Sequence, residues 1–401
     1  MPFSLLLSII RRAVTSRTFV FVLIAVAFAV TSGGRLRESP DAEFYLKLSN
    51  AAGSGQVSTF VTSTQANFTV IVLPALIALA RMISPGRWQS IMLAINILSA
   101  AITGVLLVGL VRSVTASVTA TAIALLFYLS CYDVFSWTWL LLTDNIYACL
   151  ALLVFVLTVR GITGTEESKR SRRVKLLVAM VVAAITRPVG FFVIPLVIAA
   201  EWFYIERQPK RSRVLWIVFA SGVVVAFLTH AYFFQDMRRW PTHFLRPKLE
   251  EYATREKSGE VVWGRHETSQ KPPLTMTDHV SIEVNRFARF FQVTTPGNSR
   301  RHNAMALAYY IPLYLLALAG VVAAMRGSDG RRRAVVEVTL LWILSMAALS
   351  GATVLDYDWR YRLPLMPQLI LLAACGVDAL MRRYAVREPP PAVKARSTSA
   401  R

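Results

Sequence analysis

Charge is scarce in this chain, and acid is scarcest. Only 17% of its 401 residues are charged, and 23 Asp and Glu face 44 Lys and Arg. A soluble globular domain carries about a quarter of its residues as charges, so that class is excluded. The three cysteines, Cys131, Cys149 and Cys375, lie in or at the edge of apolar runs, with neither metal-ligand spacing nor a disulfide framework. They read as small core residues. Histidine numbers only five. Of His243, His266, His279 and His302, no two stand four apart as a helical metal site requires, and His266 beside Glu267 is the nearest approach to one. No glycine-rich phosphate loop and no nucleophile elbow occurs, so neither a soluble nucleotide nor any other cofactor is implied. An internal repeat of the kind that builds two-halved transporters is also missing.

What the chain does have is apolar surface: 55% of the residues are hydrophobic and the mean hydropathy is +0.49. That composition specifies an all-α polytopic membrane protein. The net charge of +21 would suggest nucleic acid in a soluble chain. Here the Lys and Arg fall in short clusters between apolar runs, as the positive-inside rule requires, and no nucleic-acid partner is expected.

Read in order, the runs predict about ten spans. They are 18–32, 88–111, 114–132, 137–159, 174–186, 189–204, 214–234, 305–325, 334–355 and 363–380. Arg11, Arg12 and Arg17 precede the first run, which has no small-residue cleavage site, so it is expected to stay uncleaved with both termini cytoplasmic. Residues 33–87 then form a first external loop. Within it, Phe44, Leu48 and Ala51 stand at helical spacing before a Gly-Ser-Gly stop, which predicts a short helix on the membrane surface. The run 68–83 is short and broken by Pro74; if it spanned, the basic clusters at 169–175, 207–213 and 331–333 would all lie outside. It is therefore expected to be interfacial or re-entrant. Residues 235–301 make a large external loop. In it Val280, Val284, Phe287 and Phe291 recur at helical spacing with Arg286 and Arg289 between them, predicting a helix that rests on headgroups or packs on the loop. One transmembrane domain thus covers 1–387, and the tail 388–401, rich in Pro, Ser and Arg, is expected to be disordered.

Ionisable residues gather at the external ends of these spans. Asp41 and Glu43 open the first loop, with Tyr45 close behind; Asp41 is either a functional carboxylate or the cap of a surface helix. Asp144 lies in the sequence Leu142, Thr143, Asp144, Asn145. If its helix starts near Trp137, it is buried about 10 Å below the outer end; if the helix starts at Asn145, it is an N-cap. Arg187, between Thr186 and Pro188, sits in a tight turn, where it either snorkels to headgroups or grips a phosphate. Arg360 and Arg362 follow Asp356 and Asp358 at the mouth of the last hairpin, either as a surface ion-pair net or as a site. Ion-coupled transporters place charge near the midplane, whereas here His230, Glu337 and Asp378 fall towards helix ends.

With those residues in place, the chain resembles the multi-spanning GT-C glycosyltransferases, the group that includes protein mannosyltransferases and the bacterial aminoarabinose transferase acting on lipid A. Pro40, Asp41 and Tyr45 look like the acidic motif of the family's first loop, although Ala42 stands where members often carry a second acid and Glu43 comes one position later. Thr143 and Asp144 look like its second external acid, Thr186 to Gly190 like a recurrent turn, and Arg360, Tyr361, Arg362, Leu363, Pro364 and Pro367 like its basic and proline motif. The resemblance implies a GT-C-like bundle and transfer of a sugar, with inversion, from a polyprenyl-phosphate carrier to a lipid, glycan or protein acceptor. Asp41 and Asp144 would be catalytic, and Glu43, Tyr45, Arg187, Arg360 and Arg362 would bind substrate. Arg-rich loops without an extra soluble domain point to a bacterial inner membrane, with the site facing the periplasm or exterior. The alternative is a lipid or polysaccharide transporter without covalent chemistry.

Overall fold

The computed structural model describes residues 16–39, 42–53, 71–164, 168–205, 276–295, 298–352 and 359–387. In chain order the helices are α1 (Arg17–Ser32), α2 (Ala42–Gly53), α3 (Val72–Ile83), α4 (Trp88–Thr115), α5 (Val118–Leu129), α6 (Tyr132–Thr138) and α7 (Asp144–Thr163). They continue with α8 (Lys169–Thr186), α9 (Val193–Ala200), α10 (Met276–Phe290), α11 (Arg300–Arg326), α12 (Gly330–Ala352) and α13 (Met366–Arg387). A 3-10 turn, Pro188–Phe192, precedes α9, and another, Trp359–Leu365, precedes α13. Among the described residues the only β contact is an isolated parallel bridge between Arg37 and Leu140.

Local chemistry sets many helix ends. Ser16, Ser117, Ser168 and Ser299 each accept a hydrogen bond from a first-turn N–H, at the starts of α1, α5, α8 and α11. Gly33 closes α1 in the left-handed region at φ +59°.

Four stretches are long and apolar enough to cross a membrane: α4, α7, α11 and Tyr361–Tyr384, which holds most of α13. α5 and α6, bent by 50° at the break between them, make a fifth if taken as one span. α1, α3 and Val193–Tyr204 are apolar but shorter. The all-α membrane character expected from composition is present at this level. The expected span 214–234, residues 235–275 of the large loop and the tail 388–401 lie outside the described residues.

α13 is the hub, with every residue of 362–378 buried. α11 packs along it and comes closest at two glycines. A Cβ on Gly376 would sit 2.0 Å from the Leu316 carbonyl oxygen, and one on Gly320 would sit 2.1 Å from that of Leu372. Small residues at such a crossing let helices approach by van der Waals packing, the force that remains once lipid replaces water. The opposite face of α11 exposes Ile311, Leu315 and Leu318, a surface suited to acyl chains.

The ion pairs among buried residues form two layers. α7 and α8 run antiparallel, so Asp144 at the start of α7 meets Arg187 just beyond α8, while Arg172 near the start of α8 donates to the Leu157 carbonyl near the end of α7 at 3.3 Å. That far layer also holds the Arg172–Glu201 pair, Arg332 with Asp378 at 2.6 Å, and Arg333 with Glu337 at 2.9 Å. Removing one partner of Asp144–Arg187 or Arg332–Asp378, both enclosed, leaves a charge in low dielectric, at about 3–5 kcal/mol.

Several elements differ from expectation. α8 and α12, which fall on the expected spans 174–186 and 334–355, are not among the stretches long and apolar enough to cross. The span expected from Trp137 is broken: α6 ends at Thr138, and α7 begins only at Asp144. The cause is long-range. Asn96 of α4 donates its amide to the carbonyls of Thr138 and Leu140 at 3.1 and 2.9 Å, and the Arg37 backbone bonds Trp139 and Leu141 at 2.7 and 2.9 Å. Backbone groups that a continuous helix would use are thereby taken from outside. α10, for its part, lies against α12 with Phe290 and Arg286 buried, so Arg286 is not laid on headgroups.

Candidate active site

The site is best built from Arg37. Its backbone bridge fastens the segment leading out of α1 to residues 139–141, its guanidinium lies 5.6 Å from the centre of the Trp139 ring, and Ser39 Oγ donates to the Leu141 carbonyl at 3.4 Å. Asp41 itself lies outside the described residues, as do Pro40, Asp356 and Asp358. Its neighbours do not. Ala42 donates its N–H to the Ser39 carbonyl at 2.9 Å and is buried in one cluster with Leu141 and Ile146, residues that flank Asp144. Of the other first-loop candidates, Tyr45 is half-buried against that cluster, whereas Glu43 is exposed and pairs with Lys47 at 2.8 Å.

Asp144 occupies the first turn of α7 and is only 1% exposed. Thr143 precedes it as the cap position without making a side-chain cap. The carboxylate accepts from Arg187 Nη1 in a buried ion pair, 43 residues away in sequence. Arg187 is delivered by the turn that ends α8: its N–H bonds the Ala183 carbonyl at 3.2 Å, and its own carbonyl accepts from Gly190 N–H at 2.8 Å. A Cβ on Gly190 would come within 2.2 Å of the Ala183 oxygen, so the turn closes this tightly only with glycine there. The far side of the guanidinium faces Tyr361, its carbon 5.4 Å from the ring centre, an arrangement that favours a cation. Around the pair, Asn145 Nδ2 and Tyr147 Oη are buried polar atoms without a hydrogen-bond partner. Leaving such atoms unsatisfied costs about 1–3 kcal/mol each, so a group that paired them would be bound favourably.

Arg362 does not join this pair. It was expected to open to the surface beside Arg187, yet its side chain is 0% exposed. Tyr361 and Arg362 are neighbours on a 3-10 turn, where successive side chains diverge by about a third of a revolution. Tyr361 therefore turns to Arg187 while Arg362 turns the other way, donating to the Gln292 carbonyl at 2.8 Å and Tyr314 Oη at 3.2 Å, with its guanidinium 4.5 Å from the centre of the Tyr310 ring. Tyr310 in turn donates its hydroxyl to buried Asp133. Arg360 falls on the same turn, and its side chain lies outside the described set.

Asp133 and Tyr147 are the groups that sequence reasoning passed over. The signal for Asp133 was a lone acid inside the apolar stretch 118–142, masked by reading that stretch as a span followed by a turn. Among the described residues no group of three His, Cys, Asp or Glu could hold a metal ion. No family model, curated protein or solved structure matches this chain.

Proposed function

We propose that the protein is a membrane glycosyltransferase that moves a sugar from a polyprenyl-phosphate carrier to an acceptor hydroxyl at the non-cytoplasmic face. The observation that carries this is the buried Asp144–Arg187 pair at the head of an apolar helix, ringed by Tyr361 and two unsatisfied polar groups, with the segment that leads to Asp41 fastened beside it. A phosphate and a hydroxylated sugar supply what those two groups lack.

In this reading Asp41 is the general base. It takes the proton of the acceptor hydroxyl as that oxygen attacks the anomeric carbon, and the bond to the carrier phosphate breaks in line. Arg187 meets the charge that grows on the departing phosphate, since a guanidinium with five N–H donors can serve a carboxylate and a phosphate together. Asp144 orients Arg187, and Tyr147 and Asn145 contact the sugar or its phosphate. Arg362, enclosed as it is, acts as a positioning residue that holds the 3-10 turn and so Tyr361. The inner-membrane location, the exterior-facing site and the inverting outcome belong to the same proposal.

The test uses the full chain in proteoliposomes with labelled polyprenyl-phosphate sugar. A transferase releases free carrier phosphate in step with acceptor labelling, and Asp41→Asn lowers that release about a hundredfold or more. Label that crosses the bilayer without release of carrier would establish the transporter instead.

A further inference from the structure

The Asp144–Arg187 centre is short of positive charge. A carboxylate and a guanidinium in contact sum to zero, so the pair can orient a phosphate but has no excess charge with which to hold one. Departure of the carrier adds a further negative charge to that phosphate, because the electron pair of the broken bond stays on its oxygen. Arg362 does not make up the difference, since it is enclosed against Tyr310 and the Gln292 carbonyl. The missing cation has to come from the rim.

Arg37 is held at that rim by its backbone. Its N–H donates to the Trp139 carbonyl at 2.7 Å, and its own carbonyl accepts from Leu141 N–H at 2.9 Å. Leu141 precedes Asp144 by three residues, so at about 3.8 Å per step their Cα atoms are at most about 11 Å apart. None of this uses the Arg37 side chain, which is exposed. Among the described residues its guanidinium contacts the Trp139 ring alone, 5.6 Å from the centre. A cation over a ring is oriented by it, while the N–H donors of a guanidinium remain in a planar fork that matches phosphate oxygens. Glu38, the next residue, accepts from Gln89 Nε2 at 3.5 Å and forms no ion pair with Arg37.

We propose that Arg37 is a substrate-binding residue, which takes the carrier phosphate from the exposed side of the centre while Arg187 meets it from the buried side. Arg37 supplies net charge, and Arg187, tied to Asp144, supplies direction. The ligand is an isoprenoid phosphate, free or carrying its sugar; the inference rests on the reading of this centre given above. The two arginines differ in one measurable respect. An exposed guanidinium is screened as the Debye length falls from about 30 Å at 0.01 M salt to about 8 Å at 0.15 M, whereas a buried pair is screened much less.

The experiment titrates farnesyl phosphate and farnesol into the purified full-length chain in phosphatidylcholine nanodiscs, with empty nanodiscs subtracted, and reads affinity by calorimetry at those two salt concentrations. The phosphate is expected to bind at least about tenfold tighter than the alcohol, and more tightly at low salt. Arg37→Gln is expected to weaken the phosphate about tenfold, to leave farnesol unchanged and to remove most of the salt dependence. Arg37→Lys, which keeps the charge and loses the fork, is expected to fall between. Arg87→Gln, which removes an exposed charge at the start of α4, is expected to change neither ligand. Unchanged phosphate affinity in Arg37→Gln, an equal loss of farnesol, or an equal effect of Arg87→Gln overturns the proposal. Inorganic phosphate that displaces the lipid at equal concentration overturns it too, since recognition would then ignore the carrier. Because binding is read without turnover, the two readings fail separately. Farnesyl phosphate held through Arg37 by a chain that releases no carrier during sugar transfer would sink the transferase and leave the binding role, whereas normal affinity and transfer in Arg37→Gln would sink the binding role alone.

Discussion

The Asp144–Arg187 pair permits a quantitative test of what it is for. Its side chains are 2% and 11% exposed, so the attraction between them is little screened, and neither charge can be hydrated if the other is removed. Asp144→Asn leaves a buried guanidinium beside a neutral amide, and Arg187→Met leaves a buried carboxylate; each is expected to cost about 3–5 kcal/mol. The double variant Asp144→Asn/Arg187→Met leaves no uncompensated charge. It is expected to lie only about 1–3 kcal/mol below wild type, because replacing a whole buried pair is far cheaper than breaking it. The coupling energy from the cycle is then about 3 kcal/mol or more. The assay is reversible unfolding of the full chain in mixed micelles as the fraction of denaturing detergent rises, followed by helical circular dichroism. Transfer activity should diverge from stability, since the double variant regains most of the fold and none of the turnover. Costs that simply add, with coupling below about 0.5 kcal/mol, would show that the two charges do not depend on each other, and the site as described would be wrong.

The remaining predictions address neighbouring parts. Tyr147→Phe removes an unsatisfied buried hydroxyl, so stability should hold or rise by up to about 1 kcal/mol while KM for the lipid-linked sugar increases; unchanged kinetics would make that hydroxyl irrelevant to substrate. Gly190→Ala places a Cβ 2.2 Å from a backbone oxygen, and the displaced turn should lower transfer in a way that is not additive with Arg187→Met, measured by the same assay. Gly376→Val forces α11 away from α13, and a loss of about 3 kcal/mol or a failure to fold is expected, read from the same detergent titration. Glu201→Gln strands Arg172 at the opposite end of the bundle, so it should destabilise by about 3 kcal/mol with kcat unaltered in the protein that remains folded.

How much of this was legible in the sequence depends on how local the cause is. The turn at Thr186, Arg187, Pro188 and Gly190 could be read because a Pro after a helix end and a glycine forced by a 2.2 Å contact act within a few residues. The serine-capped starts of α5, α8 and α11 have causes as local, but the apolar runs alone put those starts at 114, 174 and 305. The break before Asp144 could be read only as an alternative, a helix starting at Asn145, one residue from the observed start, because its cause is an amide on Asn96 and a backbone bridge from Arg37, both far along the chain. By local pattern the stretch 137–159 is one apolar helix, and only tertiary hydrogen bonds interrupt it. The same limit explains Arg362. Its charge and its proline-rich surroundings suggested an exposed mouth, while the ring of Tyr310 and the carbonyl of Gln292, which enclose it, come from segments 52 and 70 residues away by position. Asp133 escaped notice for a related reason, since an acid at an apparent span end is unremarkable until Tyr310 is seen to bury it. In a chain with so few charges, each buried one must find a partner. The sequence says which residues need partners, and packing alone says that Asp144 takes Arg187 while Asp133 takes Tyr310, which is why one 3-10 turn can touch two chemically distinct centres through adjacent residues.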